Sequence, residues 1–367
     1  MTRKLGIAIY PDKMSQADIK SYLQLAWKNN FSRAYFTFLP INLLENNQEI
    51  LLPKILDAIN VAKIIGFNTT ADINQRVIDD LKIEIKDLKW FKDKQIDIIR
   101  FDLPMNSQTI ANLSYNPNDI KIELQMSNDN YALQDILSYD PKKENIVGCQ
   151  NFYPQNYSAL NLQYFNKTSI PFLEAGLKTT SYLSSNNPLA FCSWPNHSGT
   201  PTLEICRNLS ITSQAKLMWA TKQVDDLIIA NCPATKEEIE NLGKLDRFII
   251  SLKIKLANKI NSIEKIIIQD RQHQNRGDVN DYFIRSTATR VEFKNESNPK
   301  ITIEKKFFEI GDVLIGNDDA GLYKNELQIV KTKTPNTGEK NLVGKIDSDD
   351  HELLKILDSW QRFNLRT

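Results

Sequence analysis

Histidine and cysteine are scarce in this chain. Its 367 residues hold three histidines, His197, His273 and His351, and four cysteines, Cys149, Cys192, Cys206 and Cys232. No Cys-x-x-Cys spacing occurs, which argues against a zinc site and predicts four buried, chemically idle thiols. A metal is not expected. An excess of one charge is also missing: 46 Lys and Arg against 45 Asp and Glu leave +1, no field to attract nucleic acid or an anionic membrane. No stretch approaches the roughly 20 uninterrupted apolar residues of a spanning helix. The N-terminal apolar run, closed at once by Pro11 and Asp12, is too short for a signal-peptide core. These absences predict a soluble, intracellular protein, and they leave a homo-oligomer open.

What the chain does contain is alternation. Short β-branched or aromatic runs at 5–10, 33–38, 67–72, 96–102, 120–125, 146–152, 177–182 and 226–231 are separated by amphipathic segments. That pattern predicts parallel strands joined by helical crossovers. Helices are predicted at 15–29, 47–65, 73–81 with 86–90 behind it, 130–137, 160–175, 203–221 and 236–242. A Gly-rich phosphate turn, the usual mark of an open doubly wound sheet, does not follow the first run, which ends Tyr10-Pro11-Asp12-Lys13. Eight units without that turn predict an α/β fold with a closed (β/α)8 TIM barrel over 1–246. Beyond it the pattern changes to short runs at 248–256, 282–286, 289–293, 301–304, 313–315 and 326–330, then a helix at 349–357. Residues 247–367 are therefore expected to form a small β-rich domain.

In such a barrel the reactive groups stand at the C-terminal ends of the strands. The polar residues closing the runs are Asp12, Asp72, Asp102, Gln125, Asn151 with Tyr153, Ser181 and Asn231. Carboxylates and amides without an obvious nucleophile suit glycoside hydrolysis better than acyl transfer. Asp72 and Asp102 close neighbouring strands, and an interstrand spacing of about 4.8 Å places them within the roughly 5 to 9 Å that glycosidases use. The alternative is that each Asp merely caps the next helix. Asp12, beside Lys13, has the same two readings. Glu204 is either catalytic or part of a capped first turn after Thr200 or Thr202. Trp194, Tyr153 and Tyr157 are candidates for a sugar platform or for packing, and His197 is a loop histidine held in reserve. Arg276, Arg285 and Arg290 can hold a phosphate or be ordinary surface charge.

Several segments together resemble the bacterial 6-phospho-N-acetylmuramidase family. They are Leu5-Gly-Ile-Ala-Ile-Tyr-Pro-Asp, Cys149-Gln-Asn-Phe-Tyr-Pro-Gln, Gly199-Thr-Pro-Thr-Leu-Glu, Asp281-Tyr-Phe-Ile-Arg-Ser-Thr-Ala-Thr-Arg, Gly311-Asp-Val, and Asn325-Glu-Leu-Gln-Ile with Leu342-Val-Gly. They span nearly the whole chain in order. The resemblance implies a barrel followed by a cyclophilin-like domain, and a cofactor-free cytoplasmic glycosidase. Its implied substrate is N-acetylmuramic acid 6-phosphate linked to N-acetylglucosamine, a disaccharide of cell-wall recycling. Asp72 and Asp102 fall where the family also has Asp, and they are taken as catalytic. Asp12, Gln125, Asn151, Tyr153, Thr202, Glu204 and Arg285 are taken as the substrate-binding set.

Some positions depart from the family pattern. Gln150 and Gln155 replace a His and an Arg, Ser193-Trp-Pro-Asn-His-Ser stands for an Arg-Gly-Pro stretch, Asn231 for Asp, and Gln125 for Asn. If the missing arginines held phosphate, the sugar differs or lacks the phosphate. The alternatives are thus a re-targeted or catalytically lapsed sugar-binding relative and, from a different class, a peptide-binding C-terminal module.

Overall fold

A computed structural model describes residues 2–43, 48–102, 105–195 and 197–367. The chain divides into two compact units, 1–218 with 222–244, and 219–221 with 245–367.

The first unit is a closed barrel of eight parallel strands. They are β1 Leu5–Ile9, β2 Phe31–Thr37, β3 Asn68–Ile73, β4 Ile98–Phe101, β5 Lys121–Gln125, β6 Ile146–Cys149, β7 Lys178–Leu183 and β8 Asp226–Ile229. Each lies inside or beside one of the eight runs seen in the sequence, because strands covered on both faces read as near-continuous apolar stretches. Pairing of β1 with β8 closes the ring.

The helices follow from local chemistry. Ser15 caps Gln16–Lys28 by accepting from the Asp18 N–H, and Ile19, Tyr22, Leu23 and Ala26 form its buried face. The helix expected at 73–81 is shorter, Gln75–Asp80, because Ile73 still belongs to β3 and Asn74 is the cap. The single helix expected over 203–221 is instead a 3-10 turn, Glu204–Cys206, and a helix, Ile211–Ala220. Ser210 restarts the chain there: its hydroxyl accepts from Ser213 N and its carbonyl from Gln214 N. The helix expected from 47 runs Gln48–Ile65, with Asn47 outside the described residues. Helices Pro40–Leu43 and Ser107–Leu113 were not anticipated.

Side chains of alternate strand residues fill the barrel. Arg33, on β2, lies across its lower half, 3% exposed, and donates to Thr180 Oγ1 (2.6 Å), Glu123 Oε2 (2.8 Å), Thr70 Oγ1 (3.1 Å) and Asp226 Oδ2 (3.3 Å). Burial works against this charge, but Glu123 and Asp226 raise the Arg33 pKa above its ordinary value. Gly6 makes room for it, since a Cβ there would meet the Arg33 Cβ at 2.8 Å.

The second unit is β-rich. Its strands are β9 Ile250–Leu256, β10 His273–Gln274, β11 Phe283–Ser286, β12 Phe307–Phe308, β13 Asp312–Gly316, β14 Leu327–Val330, β15 Thr334–Pro335, β16 Lys340–Ile346 and β17 Arg362–Arg366. Seven of them form a sheet in the order β10-β17-β9-β16-β13-β14-β11, and β12 pairs with β15. The run at 289–293 is a helix, Ala288–Glu292, in which the Thr289 hydroxyl bonds the Ser286 and Asn325 carbonyls. The run at 301–304 joins no ladder; the Ile301 N–H is taken by the Asn341 side chain. The terminal helix is a 3-10 turn, Ser348–Asp350, continued by His351–Ile356. Helix Ser262–Gln269, absent from the expectation, is set by a capping box between Asn261 and Glu264.

Candidate active site

At the C-terminal end of the barrel, β3 and β4 pair so that Asp72 is level with Arg100 and Ile73 with Phe101. Asp72 is 3% exposed. It accepts from the Tyr35 hydroxyl at 2.7 Å and the Thr37 hydroxyl at 3.4 Å on one oxygen, and from Arg100 at 3.4 Å on the other. Burial pushes the Asp72 pKa up; Arg100 and the Tyr35 hydroxyl pull it down, and Asp102 adds to the rise. Tyr35, itself held well above its ordinary pKa by burial and by Asp72, stays a proton donor.

Asp102 is exposed, and its backbone N–H extends the ladder to the Ile73 carbonyl (2.9 Å). Two residues of strand rise and one interstrand step separate its Cα from that of Asp72, about 8 Å in all. The pair is therefore staggered: one carboxylate is buried in the wall and the other opens to water above it.

Arg100 also donates to the Asn151 side-chain oxygen, while its buried Nε has no partner. Asn151 is anchored at its backbone, its N–H on the Ser127 hydroxyl (2.6 Å) and its carbonyl accepting from Thr202 Oγ1 (2.8 Å). With its oxygen taken by Arg100, the Asn151 side chain makes no hydrogen bond through its NH2 group among the described residues. Thr202 also accepts from Tyr182 N, so its hydroxyl ties strand β7 to the loop after β6 and caps no helix. Tyr153 is partly buried near Ser127 and Arg100, and its phenol pKa is raised chiefly by that burial.

Both Glu204 oxygens are used within the protein. They accept from the backbone N–H groups of Tyr157 (3.0 Å) and Ala159 (2.9 Å), and from Arg207 at 2.6 and 2.7 Å. Arg207 holds the Glu204 carboxyl below its usual range, and it donates as well to the carbonyls of Tyr153 and Ser198. The loops after β6 and β7 are thus tied together. Gln125, at the end of β5, accepts from Asn128 at 3.2 Å. Asp12 is exposed after β1, and Lys13 turns from it to the Cys192 carbonyl. His197 bonds within its own loop, to the Ala190 carbonyl at 3.0 Å. Arg285 lies in the second unit, paired with Glu326 at 2.7 Å.

Sequence reasoning missed Tyr35, Arg100 and Ser127. The signal for Arg100 was present: a lone cation two residues before Asp102 in an otherwise apolar strand shares its inward parity. Of the positions departing from the family pattern, Gln150 is buried and engaged by Ser127, Thr168 and Ser169, behind the mouth. All four cysteines are buried and free, and burial raises their pKa values. Among the described residues no cluster of His, Cys, Asp or Glu is fit to hold a metal ion.

The N-terminal domain of 6-phospho-N-acetylmuramidase matches residues 5–244, and its C-terminal domain matches residues 250–366. The chain belongs to the 6-phospho-N-acetylmuramidase family. Membership makes it a glycosidase, with a small sugar as substrate. An uncharacterized Bacillus cereus protein is 34% identical, with 100% of each chain covered and a TM-score of 0.88. A conserved Enterococcus faecalis protein of unknown function is 18% identical over 99% of this chain and 96% of its own, with a TM-score of 0.70, and shares the fold. Among curated proteins none matches. No helix among the described residues is long and apolar enough to cross a membrane.

Proposed function

We propose that this member of the family hydrolyses the bond between N-acetylmuramic acid 6-phosphate and N-acetylglucosamine in disaccharides released by cell-wall turnover, in the cytoplasm and without a cofactor. Residues 1–246 are read as the hydrolytic barrel and 247–367 as a cyclophilin-like domain. The staggered pair of Asp72 and Asp102 supports this reading more than any other observation. Asp102, open to water, serves as the general acid to the leaving sugar oxygen. Asp72 cannot turn: Tyr35, Thr37 and Arg100 fix it as an acceptor, suited to orient an acetamido N–H or to face positive charge growing at the anomeric carbon. The Asn151 amide and the Tyr153 phenol offer hydrogen bonds to ring hydroxyls. Asp12 and Gln125 are assigned to the rim of the same mouth, and Thr202 and Glu204 hold the loops that carry Asn151 and Tyr153.

Two classes of substrate separate the two roles. With the natural disaccharide, Asp102→Asn and Asp72→Asn should each lower kcat by at least about 10²-fold. With an aryl muramide 6-phosphate, whose leaving group needs no proton, Asp102→Asn should recover most of its rate and Asp72→Asn should not. Equal losses on both substrates would remove the acid role from Asp102. Wild-type rates in both variants would remove the pair.

A further inference from the structure

The second unit contains a cavity of about 390 Å³ lined by Tyr282, Phe283, Arg285, Tyr323, Gln328 and Lys340 among others. Strand register builds it. Arg285 on β11 is opposite Gln328 on β14, Gln328 is opposite Leu314 on β13, and Gly316 on β13 is opposite Lys340 on β16. Gly316 lets the 318–323 turn fold close over the sheet, because a Cβ there would collide with the Tyr323 carbonyl.

The cations are held and only partly neutralised. Glu326, 1% exposed, accepts from Arg285 Nε (2.7 Å), Arg290 (3.0 Å) and Gln328 Nε2 (2.9 Å). Both guanidinium groups stand over the Tyr323 ring, at 5.5 and 5.4 Å. The Lys340 ammonium lies 4.2 Å from the Phe283 ring centre and forms no salt bridge with a carboxylate among the described residues. Arg285 and Lys340 line the cavity with the exposed Glu339 at its rim, and Arg290, outside the lining, shares the Glu326 carboxylate with Arg285. The second signal is polar: Gln328 is 6% exposed, and its Oε1 has no hydrogen-bond partner. A buried acceptor without a donor is costly unless a ligand supplies one.

We infer that this cavity binds a sugar phosphomonoester, its phosphate on Lys340 and Arg285 and one hydroxyl on Gln328 Oε1. A tetrahedral dianion matches the unused guanidinium and ammonium donors, and the exposed Tyr282 ring in the lining suits the face of a sugar ring. The ligand is either the phosphorylated sugar of the enzyme's own substrate or a separate sugar phosphate. None of these residues belongs to the barrel, so phosphate binding here stands even if Asp72 and Asp102 prove idle.

The test is calorimetric titration of the full chain with N-acetylglucosamine 6-phosphate, N-acetylglucosamine and inorganic phosphate. Wild type should bind the sugar phosphate, and Lys340→Met should weaken that binding by about tenfold or more. Lys340 has no ion-pair partner to strand among the described residues, so folding should survive the change, and Lys340→Arg should restore affinity. Gln328→Leu should weaken the sugar phosphate more than inorganic phosphate. In hydrolysis assays a raised KM of Lys340→Met for the phosphorylated disaccharide alone identifies the substrate as the ligand. Unchanged kinetics alongside lost binding identify a separate one. Absence of binding by wild type, or equal binding by wild type and Lys340→Met, overturns the site.

Discussion

Asp72 is level with Arg100, not with Asp102: across the β3–β4 ladder the two side chains enter the barrel side by side, 3.4 Å apart at their charged atoms. The guanidinium opposes the burial that pushes this carboxyl's pKa up.

Arg100→Gln should therefore leave burial opposed by the Tyr35 hydroxyl alone and let Asp72 titrate at higher pH. If Asp72 must be ionised for turnover, the acidic limb of the kcat profile should move to higher pH. The plateau should fall by about 10²-fold, as when one preorganised charge is lost. A pH–rate series on wild type and variant reads both effects. An unmoved limb would detach Asp72 from the rate.

In the lower barrel, Arg33→Met removes the one cation shared by Glu123 and Asp226. Asp226 keeps Lys178 at 3.4 Å, but the stranded Glu123 should cost about 3 to 5 kcal/mol of stability, measured as an earlier urea transition of the barrel. The double change Arg33→Met, Glu123→Leu should recover much of that loss, because the buried Glu123 charge that lost its partner is then gone.

His273 gives the second unit an acid-side liability. Its Nε2–H donates to the Ile267 carbonyl, Nδ1 accepts from the Ser286 hydroxyl, and burial lowers its pKa to about 4. The unfolded chain takes up this proton near pH 6.5 and the folded one only near 4. Stability is thus full above about 6.5 and falls between 6.5 and 4, by about 3 kcal/mol in all. His273→Asn should flatten that slope. Thermal melts at pH 7.5 and 4.5 should differ less in the variant than in wild type.

The barrel strands were legible because burial on both faces leaves unbroken apolar runs, as in Leu5–Ile9 and Asp226–Ile229. In the second unit legibility failed where one face is polar or the alternation is broken. β16 carries Asn341 and Gly344 among its apolar residues, and β17 is only five residues with an arginine at each end. Helix Ser262–Gln269 was hidden by the β-branched run Ile266–Ile268, whose strand propensity lost to the capping box at Asn261. At the candidate site, reading only the residue that closes each strand found Asp72, Asp102 and Asn151. It passed over Arg100 and Tyr35, which stand deeper on the same inward faces. The stagger between the two aspartates needed the ladder register, which residue spacing does not carry.

The Glu204–Arg207 knot bears on how this site can change over time. Because it fastens the backbone at Tyr157 and Ala159 to that at Tyr153 and Ser198, the β6 and β7 loops inherit alterations jointly. An insertion in either one is felt by the other. New sugar preferences are then easiest to reach by exchanging side chains on a frame of fixed length, such as the exposed Trp194 and Tyr157, and hardest to reach by lengthening a single loop.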